Sequence, residues 1–305
     1  MYSYLGKRVG QSALSMIGLI ILVFFLARLT GDPSALYLPI DATAEIRQEF
    51  SALHGFDQPA LVQFWSFLGD LTHLDFGESL RQARPALGVV LEAFPTTLTL
   101  AAFTMAISVS IGIVTGSLAA WRPGGFFDRV TSILSLLSAS APNFWVAIVG
   151  ILVFAVGLRM LPTSGVGGPS YWVLPIAVLV LRPCGLIAQV VRGSMISALS
   201  SAYVKTARAK GVKSRTIIFV HALRNAMLPV ITVSGDQAAG IINGAVVVET
   251  VFGFPGIGKL LIDAITYRDF AVLQAAVLVT AVAIFALNIV IDIGYALLDP
   301  RIRHI

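Results

Sequence analysis

Long uncharged apolar runs alternate with shorter charged segments along the chain, and this pattern predicts membrane-spanning helices. A bilayer core of ~30 Å needs about 20 apolar helical residues, so each run can be interpreted as one span. Six runs are long enough, and we predict helices at about 9–29, 94–121, 130–158, 172–191, 229–250 and 270–297. The predicted fold class is an all-α polytopic membrane protein, with one transmembrane domain over residues 1–305.

The distribution of Lys and Arg among the loops predicts the orientation of the spans. Cations are concentrated at the N-terminus, in the loop after the second span, in the segment 192–228 and in the C-terminal tail. Such segments are typical of the cytoplasmic side. We therefore predict that both termini are cytoplasmic, that 192–228 is a cytoplasmic loop and that 30–93 is external.

The composition agrees with a membrane protein and argues against several other classes. Hydrophobic residues make up 57% and charged residues 12% of the chain, and the mean hydropathy of +0.87 is outside the range of soluble globular proteins. The net charge of +5 is attributed to the cytoplasmic face rather than to nucleic-acid binding. A single cysteine, Cys184, excludes an internal disulfide.

Two stretches of the external segment predict short helices. Ile46, Phe50 and Leu53 recur at helical spacing, and 59–71 is amphipathic with Trp65 and Phe67. Such helices would lie on the membrane or on the protein. Whether they form a packed cap or dock an external partner is left open by the sequence.

Residues for catalysis or metal binding are not arranged in any recognisable motif. The four histidines are scattered without the spacing of a zinc site, and no span offers a nucleophile with a histidine base. Gly253, Gly258 and Lys259 match a phosphate-loop spacing, but Leu260 stands where a hydroxyl is needed for magnesium. We predict neither a catalytic site nor a metal site in this chain.

Polar residues inside the predicted spans are the main candidates for function, because they are costly in lipid. They either pair with each other and hold the bundle together or line a water-filled substrate path. These residues are Asn143, Arg182, Gln189, Asp236, Gln237, Asn243, Asn288 and Asp292.

Arg182 and Asp236 suggest a specific pairing. Arg192 and Pro229 mark the cytoplasmic ends of consecutive spans, ten residues from Arg182 and seven from Asp236. At ~1.5 Å per residue the two charges lie roughly 15 and 10 Å deep, and an arginine stem can cover the difference. The hypothesis is a buried ion pair between the fourth and fifth spans.

The segment 203–229 is strongly basic and contains no acid. Ala207 and Gly211 lie four residues apart, so a short helix there would present a smooth face with a basic rim, suited to a groove on a partner. A basic loop resting on anionic lipid heads is the alternative. The cations are Lys205, Arg208, Lys210, Lys213, Arg215 and Arg224.

Several separate stretches resemble one known family. They are YVKTARAKG at 203–211, HALRNAMLP at 221–229, the segment 246–274, GDPSA at 31–35, the segment 54–71, DFGESL at 75–80 and LLDPRIR at 297–303. Together they resemble the permease subunits of ATP-binding-cassette importers, in the dipeptide and oligopeptide branch. Two residues depart from the pattern, since Arg182 and Asp236 stand where uncharged residues are expected.

The resemblance implies a role for the basic segment. In that family a cytoplasmic motif written Glu-Ala-Ala-x3-Gly forms a coupling helix that seats in a cleft of the ATPase subunit. Lys205, Thr206 and Ala207 occupy the Glu-Ala-Ala positions, so the acidic residue is absent. The coupling residues implied are Tyr203, Lys205, Thr206, Ala207, Arg208, Lys210 and Gly211.

The resemblance also implies a function and a set of partners. The chain would form half of the path that carries peptides or similar small solutes across the cytoplasmic membrane of a bacterium or archaeon, by ATP-driven alternating access. It would hold no cofactor and would not itself be an enzyme, because ATP and magnesium would bind to two partner ATPases. A second permease of different sequence, a solute-binding protein and membrane lipid would complete the assembly, without nucleic acid. An ion-coupled secondary transporter is the alternative.

Overall fold

The computed structural model describes residues 2–29, 31, 34–39 and 41–298, and most of them are helical. Within these ranges no β-strand forms, and one isolated antiparallel bridge joins Glu78 to Pro85. In chain order the helices are α1 (Tyr2–Leu29), α2 (Ser34–Tyr37), α3 (Ala44–Leu53), α4 (Ala60–Leu71), α5 (Ala86–Trp121), α6 (Phe126–Ser140), α7 (Asn143–Gly150), π1 (Ile151–Gly157), α8 (Ser170–Ser200), α9 (Ala202–Ala209), α10 (Ser214–Thr216), π2 (Ile217–Ala222), α11 (Leu223–Phe252), α12 (Ile257–Thr266) and α13 (Phe270–Leu298).

The described helices are long and apolar enough to cross a membrane five times, or six times if one bent pair counts as a single span. This finding confirms the predicted all-α, multi-spanning fold class. The five continuous candidates are Gly10–Leu29, Ala86–Trp121, Ser170–Ser200, Ser214–Phe252 and Phe270–Ile291.

The predicted continuous span at 130–158 is broken. The helix Phe126–Ser140 and the segment Asn143–Gly157 meet at an angle of 104°. Pro142 lacks an N–H and disfavours the helical conformation of the residue before it, and Ala141 is extended, with φ −75° and ψ 126°. Counting apolar residues measured the length of this segment correctly but missed the bend.

Several other helices extend beyond the predicted bounds, and α1 begins at Tyr2 rather than near 9. α5 begins at Ala86 rather than near 94, and the Glu92 carboxylate on its first turns accepts two 2.8 Å hydrogen bonds from the Arg84 guanidinium. α8 continues to Ser200, and the fifth span begins at Ser214. The predicted loop 192–228 is therefore largely helical. The prediction relied mainly on uncharged runs and ended the fourth span just before Arg192, although long charged side chains can extend from a helix into water.

The first of two compact units comprises residues 1–97 and 255–286. Its core is rich in aromatic and small apolar residues from α1, α4, α5, α12 and α13. Phe24 is fully buried, and its ring lies 5.1 Å from that of Phe64 and 5.5 Å from that of Phe67. Helices α3 and α4 form where the periodicity predicted short helices. The amphipathic helix α12, in contrast, was not predicted.

The second unit comprises residues 98–254 and 287–305, with α8 at its centre. α8 packs against α6, α7 and α11. Glycines allow close packing: a Cβ at Gly116 of α5 would lie 2.5 Å from the Ala188 carbonyl oxygen, and one at Gly185 would lie 2.1 Å from Ser138 Oγ. Small residues at helix contacts are typical of membrane bundles, and at these two positions the neighbouring helix leaves no room for a larger side chain.

Candidate functional site

The basic segment forms a short surface helix, α9, which joins the two longest helices of the second unit. Ser201 precedes it in an extended conformation, with φ −69° and ψ 157°. Val204 is fully buried, and α9 contacts both α8 and π2. One apolar side chain therefore fixes a helix whose other residues are mostly exposed.

Gly211 ends α9 in a left-handed conformation with φ +75°. The Gly211 N–H donates to the Arg208 carbonyl at 3.0 Å, and the Val212 N–H donates to the Ala207 carbonyl at 3.1 Å. These two bonds define a Schellman cap, which favours glycine at this position. A Cβ here would meet no atom within 4 Å, so within this chain glycine is required by the backbone and not by close packing.

The predicted coupling residues all lie on or beside α9. Ala207 is half-buried and therefore does not form the centre of an open smooth face, as the spacing suggested. The remaining six are exposed, namely Tyr203, Lys205, Thr206, Arg208, Lys210 and Gly211. The structure thus presents a compact basic knob, which we call the α9 knob (residues 202–211).

An ion pair that sequence reasoning missed joins α6 to α8. Arg192 donates from Nε and from Nη2 to the two carboxylate oxygens of Asp128, the second bond measuring 2.9 Å. The Gly124 N–H also donates to Asp128 Oδ2 at 2.7 Å. Asp128 is buried. The only signal in the sequence was that Asp128 is followed by more than a hundred residues without an acid.

One face of α11 carries a row of exposed polar residues along most of the helix. Asn225, Thr232, Asp236, Asn243 and Thr250 are all exposed and are spaced by seven, four, seven and seven residues, which places them on one helical face. The opposite face is buried against α7 and α8. We call this set the α11 polar row.

Asp236 lies near the middle of its span. It is 13 residues from Leu223 and 16 from Phe252, or about 20 and 24 Å at 1.5 Å per residue. Its carboxylate accepts one hydrogen bond, at 3.2 Å from Gln237 Nε2. A charged side chain at mid-span, exposed on the surface of this chain, is the most unusual feature of the helix.

The predicted ion pair between Arg182 and Asp236 does not form. Both side chains are exposed, and no contact within 4.0 Å joins their charged groups in the described part of the chain. The depths worked out from residue counts said nothing about the faces on which the two residues lie. Asp236 belongs to the face of α11 that points away from its buried contacts.

The other predicted polar residues divide between packing and exposure. Gln189 donates to the Ser132 carbonyl at 3.4 Å and so links α8 to α6. A Cβ at Gly244 would lie 3.4 Å from Asn143 Nδ2, which places Asn143 against α11. Asn288 is half-buried, and the side chain of Asp292 lies outside the described residues.

Local structure explains the stretch that matched a phosphate-loop spacing. Gly253 closes α11 with φ +64°, and Lys259 Nζ lies 2.7 Å from Asp263 Oδ2, one turn further along α12. Among the described residues no cluster of three or more potential metal-ligating residues was found.

The geometry defines a multi-spanning helical membrane protein with a polar face in one span and a basic surface helix between two spans. Residues 112–304 match the family model described as "Binding-protein-dependent transport system inner membrane component". The chain belongs to this family and is a multi-pass protein of the inner membrane.

Curated relatives match the chain over nearly its whole length. A putative peptide transport system permease protein of Brucella abortus is 36% identical over 307 residues, covering 98% of each chain. The di/tripeptide transport system permease protein DppB of Pseudomonas aeruginosa is 35% identical over 335 residues, covering 100% of this chain and 99% of the relative.

A solved structure supports the fold. A chain of the MetNI methionine ABC transporter in an inward-facing conformation has a TM-score of 0.58 at 15% identity, over 69% of this chain and 96% of that one. At this identity the likeness concerns the fold alone.

Proposed function

We propose that this chain is the permease subunit of an ATP-binding-cassette importer and forms half of the path for peptides or similar small solutes. The α11 polar row is the single observation that carries this proposal. A span with a row of exposed polar side chains is poorly suited to lipid, and an aspartate at mid-membrane costs about 2.5–3.5 kcal/mol on insertion scales. Facing water in a translocation path removes that cost.

The α9 knob is the proposed contact with the ATPase. It is exposed, basic and fixed to the ends of α8 and π2 through Val204. A rigid knob that contacts two long helices can transmit a push from a partner to both of them. ATP and magnesium would bind to the partner ATPases, and this chain itself would hold no cofactor.

The remaining partners follow from the family and from the names of relatives. A solute-binding protein would deliver the solute, and a second permease of different sequence would supply the other half of the path. Peptides are the proposed solute class because the relatives that cover nearly the whole chain are described as peptide permeases. Both termini and the α9 knob would lie in the cytoplasm, where Lys and Arg concentrate.

Co-purification tests the assignment. The tagged chain, extracted in mild detergent from its native host, should bring ATPases and a second permease with it, and the eluate should hydrolyse ATP. A chain that elutes alone and transports solute after reconstitution would refute the proposal. Asp236 would then be the leading candidate for an ion-coupling residue, and the secondary-transporter alternative would replace the importer.

Accessibility of cysteines tests the path separately. In a Cys184→Ala background, Asn243→Cys should react with a membrane-impermeant thiol reagent in the assembled complex. Leu136→Cys is a suitable control, since Leu136 is exposed on α6 among other exposed apolar side chains and would face lipid. Equal reactivity at the two positions would contradict a water-filled path along α11.

A further inference from the structure

Two residues that line one cavity in the first unit each have a buried side-chain nitrogen with no hydrogen-bond partner among the described residues. The cavity has a volume of ≈ 310 Å³ and lies among the end of α1, α4, the turns at 54–58 and 75–80, and the beginning of α13. This volume is at the lower end of the range of about 300–1,000 Å³ typical of small-molecule sites. Arg28 and Gln274 both line it.

Arg28 is held rigidly in this cavity. Its Nε donates to Gln63 Oε1 at 3.2 Å, and its Cζ lies 3.5 Å from the centroid of the Phe24 ring. Gln63 is fixed in turn, because its Nε2 donates to the Gln58 carbonyl at 2.8 Å. Arg28 Nη1 is buried and has no hydrogen-bond partner among the residues that the structure describes.

Gln274 supplies the second donor. It lies one turn into α13 and is only 4% exposed, yet its Nε2 has no hydrogen-bond partner among the described residues. A buried donor left unsatisfied destabilises the folded state, and both residues that carry such a donor line one cavity. A molecule with a carboxylate would satisfy both, since each carboxylate oxygen can accept one of the two bonds.

The exposed side of the same cavity has the opposite charge. Asp70, Asp75 and Glu78 line it and are exposed, and Asp75 Oδ1 accepts a 2.8 Å bond from the Gly77 N–H. A simple anion would be repelled by these carboxylates. A molecule that carries both a carboxylate and an ammonium group would complement both sides of the cavity.

We propose that this cavity is a binding site for a small zwitterion, an amino acid or a dipeptide, separate from the α11 polar row. The ligand carboxylate accepts hydrogen bonds from Arg28 Nη1 and Gln274 Nε2. Its ammonium group lies towards the rim formed by Asp70, Asp75 and Glu78.

Calorimetry on the purified full-length chain with its co-purified partners, without ATP or binding protein, tests this site. The probes are alanyl-alanine, its C-terminal amide and its N-acetyl derivative, which lack the carboxylate and the ammonium group respectively. We expect the unmodified dipeptide to bind at least tenfold more tightly than either derivative. Equal affinity for the amide, or no heat of binding for any probe, would overturn the proposal, and the latter result would mean that the cavity holds only water.

Variants locate the binding event. Gln274→Leu removes the donor at similar size and should weaken dipeptide binding at least tenfold, whereas Gln48→Leu removes an exposed amide from α3, outside the cavity, and should not. Arg28→Met should abolish binding, and the probe series on unaltered protein keeps the test decisive if this variant misfolds. Binding that survives Gln274→Leu but is lost in Asp236→Asn would place the dipeptide at α11 and overturn the cavity site. Failure of these binding tests would remove the cavity site but leave the importer proposal standing, because that proposal is tested by which subunits co-purify.

Discussion

The cap of the α9 knob allows a prediction that separates backbone strain from contact with a partner. Gly211 has φ +75° and open space around the position of a Cβ. A side chain other than glycine in the left-handed region costs about 1–2 kcal/mol, which is a factor of 5–30 in the population of the capped turn. Asn is enriched in this region and should cost less.

Three substitutions at this position use that difference. Gly211→Asn should leave the cap nearly intact, and Gly211→Ala should show the strain alone. Gly211→Trp adds a large side chain, whose Cβ would meet no described atom within 4 Å but which would obstruct a partner that approaches the knob. We therefore expect transport to fall in the order Asn, Ala, Trp, with a much larger fall from Ala to Trp than from Asn to Ala.

The assay is uptake of a labelled dipeptide into proteoliposomes that contain the complex and its binding protein, with ATP hydrolysis measured in parallel. Gly211→Trp should assemble yet hydrolyse ATP without proportionate uptake. If Ala and Trp lower uptake equally, Gly211 acts only through the backbone of the cap. Normal coupled transport by Gly211→Trp would refute the assignment of the knob as the site that couples ATPase and permease.

Three further predictions concern other sites. Asp128→Asn should lower the thermal stability of the detergent-solubilised chain more than the double change Asp128→Asn with Arg192→Met. The reason is that the single change leaves a partly buried guanidinium without its charge partner. An equal loss in the two variants would mean that the ion pair contributes little to stability. Asp236→Asn should change the free energy of unfolding by no more than about 0.5 kcal/mol, as for an exposed residue. It should, however, lower the uptake of lysine-containing dipeptides several-fold relative to neutral ones. Unchanged selectivity would mean that Asp236 does not line the path. Burial, together with the nearby Asp269 charge, raises the pKa of Tyr37 to about 12, above its ordinary value near 10. The stabilisation that the neutral phenol gives the folded state is therefore complete below pH ~10 and is lost as the pH rises to about 12. The free energy of unfolding should fall less steeply with pH in this range for Tyr37→Phe.

The helices of this protein could be predicted well from the sequence because the membrane imposes a simple rule of length and polarity. The two short helices α3 and α4 could be predicted equally well, since their apolar residues recur at helical spacing. What the rule did not reveal was the 104° bend at Pro142. A proline before an asparagine suggests a break, but the angle depends on the packing of α7 against α11.

The site was only partly predictable for a geometric reason. The number of residues from a helix end gives the depth of a side chain to within a few ångströms, but its direction depends on how the helix is rotated against its neighbours. Arg182 and Asp236 were placed at compatible depths and then assumed to face each other. The rotation of α11 is decided by small and branched residues such as Ala226, Val230 and Ala245, which are buried against the bundle.

The positions of Asp128 and Asp236 explain why one is paired and the other exposed. Asp128 lies in the first turn of α6 and pairs with Arg192, which lies about 12 Å before the end of α8. The Gly124 N–H donates a third hydrogen bond to the Asp128 carboxylate. Asp236 lies at mid-span, where burying it with Arg182 would require desolvation of two charges that their attraction only partly offsets. An exposed mid-span charge avoids this cost only if water, solute or another subunit covers it. This reasoning favours a path along the α11 polar row over a face that meets lipid.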